Sequence, residues 1–408
     1  MGGVSMEWKE VRLGDICTRV CSGGTPKSTN LSYYGGEIPW LNTKEIDFNR
    51  IYSTEKTITD SGLNNSSAKW IVPNTVTVAM YGATAGKSCI VKVPMTTNQA
   101  CCNLTINDEV ADYEFVYYSL KNDYTTLASL ANGGAQQNLN AQIIKDYVLK
   151  MPSLADQRRI ASILSSLDRK IELNNKINAD LEEMAQTIFK NWFVDFEPFK
   201  DGKFMDSELG MVPEGWKVGT LGDMGTIVCG KTPSKANSNY YGGDIPFIKI
   251  PDMHGNVFVE NSEDRLTEEG SLSQIKKLIP PYSLMVSCIA TVGLVSINTK
   301  PSHTNQQINT VIPHNKSALF YLYQHIKNNE EFLKNMGRGG TTTLNVNTKS
   351  FSNIRLLIPS EIALEQFHGI VEGLFKKIEQ NLHESRTLSL LRDTLLPRLM
   401  SGELEVPE

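Results

Sequence analysis

Tyr33-Tyr34-Gly35-Gly36-Glu37-Ile38-Pro39-Trp40 returns 207 residues later as Tyr240-Tyr241-Gly242-Gly243-Asp244-Ile245-Pro246-Phe247. Eight aligned positions in one block lie beyond chance, so the chain is a duplication. The same shift lays Thr25-Pro26 on Thr232-Pro233, Thr97-Asn98-Gln99 on Thr304-Asn305-Gln306, and Pro152 on Pro359. Trp8…Leu13-Gly14-Asp15 falls on Trp216…Leu221-Gly222-Asp223 at a shift of 208, one loop being a residue longer. The end repeats as well: Val406-Pro407-Glu408 reads like Val212-Pro213-Glu214, which leads into Trp216 and the second copy. The order is that of a circle cut open. It predicts that the two termini lie close together.

Each copy has two parts. The first is rich in Gly, Pro, Asn and Thr with short β-type runs, such as Thr75-Val76-Thr77-Val78 and Leu294-Val295-Ser296-Ile297, and reads as a mixed α/β domain with many loops. After Pro152 and Pro359 glycine thins out and the pattern turns helical. The predicted divisions are 1–152 and 204–359 for the α/β domains, with 153–203 and 360–408 as long helices and tail.

In the first helix, heptad positions a fall on Ile160, Leu167, Asn174, Leu181 and Ile188, and d on Ile163, Lys170, Ile177, Met184 and Asn191. The second gives a as Phe367, Leu374, Asn381, Leu388 and Leu395, with d on Ile370, Lys377, Glu384, Leu391 and Arg398. Such a seam asks for a partner helix. A bundle helix packed on its own domain gives the same pattern, but the polar interruption recurs at one place in both copies. Pairing polar with polar predicts an antiparallel coiled coil in which Asn174 faces Lys377 and Lys170 faces Asn381. Ile177 then meets Leu374, Leu181 meets Ile370 and Met184 meets Phe367. At 1.5 Å per residue, helices of 35–40 residues run about 55–60 Å.

The 408 residues suffice for two or three domains, and 40% hydrophobic with 21% charged residues excludes a disordered or fibrous chain. Mean hydropathy is −0.25, and no apolar run reaches the roughly 20 residues of a membrane helix. Met1–Glu10 lacks a signal-peptide core. Seven cysteines without regular spacing argue against a disulfide framework, and a cytoplasmic location is expected. Lysine and arginine number 40 against 45 acidic residues, a net charge of −5, so non-specific phosphate attraction is weak for the chain alone. Most of the acid excess sits in the two helical segments.

Several catalytic signals fail. Gly82-Ala83-Thr84-Ala85-Gly86-Lys87-Ser88 ends like a P-loop but is one residue short, and its counterpart Thr291-Val292-Gly293-Leu294 has neither Lys nor Ser. Ile279-Pro280-Pro281-Tyr282 lacks the leading amide or acid of an amino-methyltransferase motif and reads as a turn. No metal-ligand spacing appears among six histidines and seven cysteines, and His303 and His314 read as surface or packing residues. Catalytic and metal-binding residues are therefore expected to be none.

What remains are hydrogen-bonding and basic side chains in equivalent loops. Thr25, Lys27 and Ser28 pair with Thr232, Ser234 and Lys235; Asn42 and Lys44 pair with Lys249; Gln136, Gln137 and Asn138 pair with Arg338, Thr341 and Thr342. Gln and Asn read adenine edges, Arg and Lys read guanine or hold phosphate, and these residues are the candidate DNA contacts. The competing explanation is that Gly-Pro-Asn-Thr runs are simply turns. The paired tyrosines read as structural, because residues that read sequence should differ between copies.

The duplicated T-P…Y-Y-G-G-x-I-P domain, followed by Ala155-Asp156-Gln157-Arg158-Arg159-Ile160, resembles the specificity subunit of type I restriction–modification systems. So do Phe189-Lys190-Asn191-Trp192-Phe193 with Asp195-Phe196-Glu197-Pro198, and Leu396-Pro397-Arg398-Leu399-Met400-Ser401-Gly402-Glu403-Leu404. The resemblance spans the whole chain; the second copy departs at Ala363-Leu364-Glu365-Gln366, which lacks the Arg-Arg pair. It implies two target recognition domains, each reading half of a bipartite double-stranded DNA sequence, and a coiled coil that sets the spacing. It also implies two methyltransferase subunits and restriction (motor and nuclease) subunits as partners. S-adenosylmethionine, ATP and Mg would serve those partners, with no cofactor on this chain. A two-domain scaffold gripping protein ligands is the alternative, and a stand-alone modification enzyme is disfavoured by the missing motifs.

Overall fold

Val76–Ala79 is buried at every position, as a central strand must be, and it organises the first sheet. The computed structural model describes residues 7–132, 138–338 and 344–406. The chain divides into two compact units, one of residues 1–170 with 388–408 and the other of residues 171–387. The first half of each long helix thus belongs to one unit and the second half to the other.

In the first unit Val76–Ala79 lies between Cys101–Ile106 and Ser88–Val91, antiparallel to both. Cys17–Ser22 flanks Cys101–Ile106, and Arg50–Ile51 closes the other edge parallel to Ser88–Val91. A smaller sheet orders Thr57–Ile58, Tyr34–Leu41, Met95–Thr97 and Trp70–Ile71. Helix Tyr113–Asn122, capped by the Asp112 carboxylate on the Phe115 amide at 2.9 Å, buries six consecutive residues against the five-stranded sheet. The second unit repeats this order with Gly225–Cys229, Ile308–Pro313, Leu284–Ser287, Val295–Asn298 and Phe258–Val259. Helix Leu319–Asn328 stands where Tyr113–Asn122 stood.

The chain ends return to the first unit. Leu396, Leu399 and Val406 join the core that holds Leu13, Phe115 and Leu164, and Trp8 packs against it. A β-carbon on Gly402 would lie 2.7 Å from Trp8 Nε1, so the C-terminal turn and the N-terminal tryptophan are in contact. In the second unit Trp216 plays the part of Trp8, its ring 4.9 Å from that of Phe199 and 5.8 Å from that of Phe193.

The two long helices, Leu154–Phe193 and Glu361–Met400, have 40 residues each. Within the second unit they are antiparallel: Asn174 Nδ2 donates to Ser385 Oγ at 3.2 Å, while Phe189 and Trp192 meet Phe367 with ring centroids 6.3 and 6.2 Å apart. The expected seam is corrected in two respects. Positions a are broadly right, but Ile163, Met184, Ile370 and Leu391 are exposed, and the second buried row lies one residue on, at Leu164, Asn178, Ala185, Val371, Ile378 and Ser385. Each helix covers its own α/β domain as well as its partner, and this widens the apolar stripe and turns it off a strict a/d seam. The register is also about one heptad from the expected one. Asn174 meets Asn381, Glu384 and Ser385 rather than Lys377, and Asn381 donates to Asn178 rather than meeting Lys170. Amide pairing with amide leaves Lys377 exposed, avoiding the cost of burying its ammonium.

Candidate nucleic-acid interface

The repeated sequence blocks converge on one loop scaffold. Asn30 caps the 3-10 turn Leu31–Tyr33, and the Tyr34 hydroxyl donates to the Pro26 carbonyl at 2.6 Å. Asn237 and Tyr241 do the same in the second unit, with Tyr241 to Pro233 at 2.7 Å. Gly35 and Gly242 follow at φ 79° and 88°, a region that glycine enters without strain. Trp40 Nε1 donates to the Gly24 carbonyl at 2.9 Å. The Thr-Pro loop is therefore clamped by the tyrosine and, in the first unit, by the tryptophan as well.

Thr25 donates its hydroxyl to Gln99 Oε1, and Thr232 donates to Gln306 at 2.6 Å. Asn98, beside Gln99, donates to Asn42 Oδ1 at 3.2 Å, which joins the Thr25 loop to the Asn42 loop. The third loop arrives through backbone bonds: Leu139 to Met80 at 3.1 Å, and Met80 to Ala100 at 2.8 Å. In the second unit the equivalent chain runs from Val346 to Cys288 and from Cys288 to Gln307, both 2.8 Å. In each unit, three loops from distant parts of the sequence meet at one end of the five-stranded sheet.

Within that meeting point the candidate side chains differ in availability. Lys27, Ser28, Ser234, Lys235, Asn138 and Arg338 are exposed. Arg338 Nη1 donates to Asn335 Oδ1 at 2.7 Å, at the end of helix Glu330–Gly337. Gln136, Gln137, Thr341 and Thr342 lie outside the described residues. Asn42 and Lys249 begin short helical turns closed by Glu45 and Asp252, whose carboxylates accept from their amides at 3.0 and 2.7 Å. Lys44 pairs with Glu55 at 2.7 Å, and Lys249 with Asp264 at 2.6 Å. In both, the hydrogen bond that the ammonium donates to the carboxylate raises the lysine pKa and keeps the ammonium charged beside its own counter-ion.

Arg19, Lys69 and Trp70 form a further exposed group of basic and aromatic side chains in the first unit. Arg19 Nη1 donates to the Trp70 carbonyl at 3.2 Å, and Trp70 is 44% exposed beside exposed Lys69. Their signal in the sequence was faint: Lys69 aligns with Lys277 at the 208-residue shift, and no motif surrounds either.

The rejected motifs have plain structural roles. Gly82–Thr84 is a single 3-10 turn leading to strand Ser88–Val91, and Lys87 pairs with Asp47 at 2.6 Å. Tyr282 turns the chain at φ 59° after two prolines. His303 is a core residue, its Nε2 2.8 Å from Ser271 Oγ, and burial lowers its pKa to about 4. Among the described residues no cluster of three His, Cys, Asp or Glu side chains could hold a metal, and no helix is long and apolar enough to cross a membrane.

Two copies of a loop-bearing α/β domain, each completed by halves of two long helices, define a duplicated recognition protein. The family description "Type I restriction modification DNA specificity domain" matches twice, over residues 6–183 and 213–388. The HindI specificity subunit of Haemophilus influenzae is 37% identical over 71% of this chain and 77% of its own length. The MjaIX specificity subunit of Methanocaldococcus jannaschii is 30% identical over 100% of this chain and 96% of its own. The crystal structure of a type I S subunit from M. genitalium shares the fold, with a TM-score of 0.61 at 16% identity over 100% of this chain and 98% of that one. The chain belongs to the type I restriction–modification DNA specificity family. It is a specificity subunit with two recognition domains and is not itself an enzyme.

Proposed function

We propose that residues 1–152 and 204–359 each read one half of a bipartite double-stranded DNA target through the loop cluster at the sheet end. The segments 153–203 and 360–408 then set the spacing of the two halves. The observation that carries this is the convergence, in both units, of the Thr25/Thr232, Asn42/Lys249 and Asn138/Arg338 loops on one scaffold. A fixed scaffold with variable loop tips suits two readers of different sequences. Lys27, Ser28, Ser234, Lys235, Asn138 and Arg338 are the exposed side chains nearest this role, and Gln136, Gln137, Thr341 and Thr342, next to Asn138 and Arg338 in sequence, are proposed to share it. Thr25, Thr232, Asn42, Lys44 and Lys249 shape the loops through the bonds described above. Arg19 and Lys69 add phosphate-binding charge to the first unit.

With a net charge of −5, the chain needs partners to clamp DNA. Two methyltransferase subunits, joined by restriction subunits, would supply that charge and, with S-adenosylmethionine, ATP and Mg, the chemistry, all in the cytoplasm. No observation favours a protein-binding scaffold. Footprinting of the complex with its methyltransferase on random-sequence duplexes should enrich a two-part site. Equal protection of bipartite and scrambled DNA would discard the proposal.

A further inference from the structure

One position in the fold carries opposite chemistry in the two units. In the first, Asp168 on the first long helix accepts from Arg392 Nη1 of the second at 2.7 Å and from the Tyr118 hydroxyl at 2.5 Å. Arg50 stands 3.9 Å from the same carboxylate and 3.3 Å from Glu114. The side chains of Arg50 and Asp168 are only 3% and 9% exposed, and that of Arg392 only 16%. The repeat identifies their counterparts. Asp168 maps to Phe375 and Arg392 to Ala185 at the 207-residue shift. Arg50 and Phe258 each open the strand that runs parallel to Ile90 or Ile297, and Glu114 and Phe320 are each the second residue of their helices.

The second unit thus replaces the ion cluster with an aromatic stack. Phe320 lies face to face on Phe375 with centroids 4.1 Å apart and planes at 4°, and Phe258 meets Phe375 edge-on at 6.3 Å. Ala185 is fully buried in the same core, at the position where the first unit has a guanidinium.

We propose that these two junctions are a pairing code, by which the two long helices select each other and reject the matching helix of a second copy of the chain. The polar layer makes that choice less sharply. Asn174 and Asn178 map to Asn381 and Ser385, so amides and a hydroxyl meet in like as in unlike pairings, although Glu384, which accepts from Asn174 at 2.9 Å, maps to Ile177. The junctions differ. Two first helices paired antiparallel would place Asp168 against Ala185, leaving the buried carboxylate with only the more distant Arg50, which it shares with Glu114. Two second helices would drive Arg392 into the stack around Phe375, with only its own neighbour Asp393, 2.8 Å away, to pair with and no carboxylate from across the helices. A buried charge stripped of its cross-helix partner is disfavoured, so both like pairings are penalised while the native pairing satisfies both junctions.

Moving one arginine tests this. In the full-length chain, Ala185→Arg with Arg392→Ala keeps the composition but gives the first helix both members of the ion pair. Two first helices then form two intact ion junctions, and two second helices form two aromatic ones. Wild-type chain, Arg392→Ala and the double variant would be refolded from denaturant at matched concentrations, and their masses measured by light scattering and native mass spectrometry. The double variant should show at least a tenfold higher dimer-to-monomer ratio than the wild type, and Arg392→Ala, which erases the code without reversing it, an intermediate ratio. Ratios equal to the wild type's would overturn the proposal. So would a double variant that fails to fold at every concentration, because matched like junctions must then rescue it as the chain is concentrated.

Discussion

Asn381 Nδ2 donates to Asn178 Oδ1 at 2.9 Å in the interior of the helix pair, with both residues at most 5% exposed. Removing one member leaves the other as an unsatisfied buried amide. Asn381→Leu should therefore cost about 1–3 kcal/mol in denaturant unfolding of the second unit. Replacing Asn178 and Asn381 together by Leu should cost less than the sum of the single changes, because no orphaned partner remains. Additive losses across that double-mutant cycle would show that the bond does not couple the helices.

The contact between Gly402 and Trp8 gives a test of ring closure. Gly402 sits at φ 74°, and a β-carbon there would press on the indole. Gly402→Ala should destabilise the first unit by more than about 1 kcal/mol, the usual cost of a left-handed side chain, and should shift the tryptophan emission of Trp8. An unfolding midpoint unchanged from the parent's would mean that the C-terminal turn does not close the first unit.

All six histidines lie within residues 171–387, so acid should act on the two units unequally. Burial lowers the pKa of both His303 and His325 to about 4 in the folded chain. Unfolded, each binds its proton near pH 6.5. The unfolded state therefore holds more protons between about pH 6.5 and pH 4. The stability these groups contribute is fully present above that window and falls as the pH drops through it, by at most about 1.4 kcal/mol per pH unit for each histidine. His303→Gln should flatten the decline between pH 6.5 and pH 4 in calorimetry of the second unit's transition. A variant whose curve runs parallel to the parent's in that window would exclude the mechanism.

The duplication, the strand runs around Val76 and Val295, and the paired Thr-Pro loops were legible because each is local or is repeated at a fixed offset, whereas the bonds that clamp those loops were not. The seam was legible in its a positions and misplaced by one residue at d, because heptad logic assumes a single partner and these helices have two. Lys44 and Lys249 look free in sequence. Glu55 and Asp264, which neutralise them, are 11 and 15 residues away and are brought back by the fold. The pairing of Asp168 with Arg392 was illegible for the same reason on a larger scale: 224 residues separate them, and only the circular order of the chain makes them neighbours.

Lys27 and Lys235 make no ion pair among the described residues, whereas Lys44 and Lys249 do, and this separates the loop lysines into two classes. A free ammonium that meets a phosphate on binding releases about one counter-ion, while a paired one has already spent its charge. In the complex loaded with its methyltransferase, Lys27→Ala and Lys235→Ala should each lower the slope of log affinity against log salt by about one, weakening all sequences alike. Lys44→Ala and Lys249→Ala should change that slope less and cost more in folding stability, since Glu55 and Asp264 lose their partners. Anisotropy titrations over a salt series, with thermal melts of the same four variants, compare the classes directly. If Lys44→Ala lowers the slope as much as Lys27→Ala, the ion pair opens on DNA and the division between shaping and contacting residues fails.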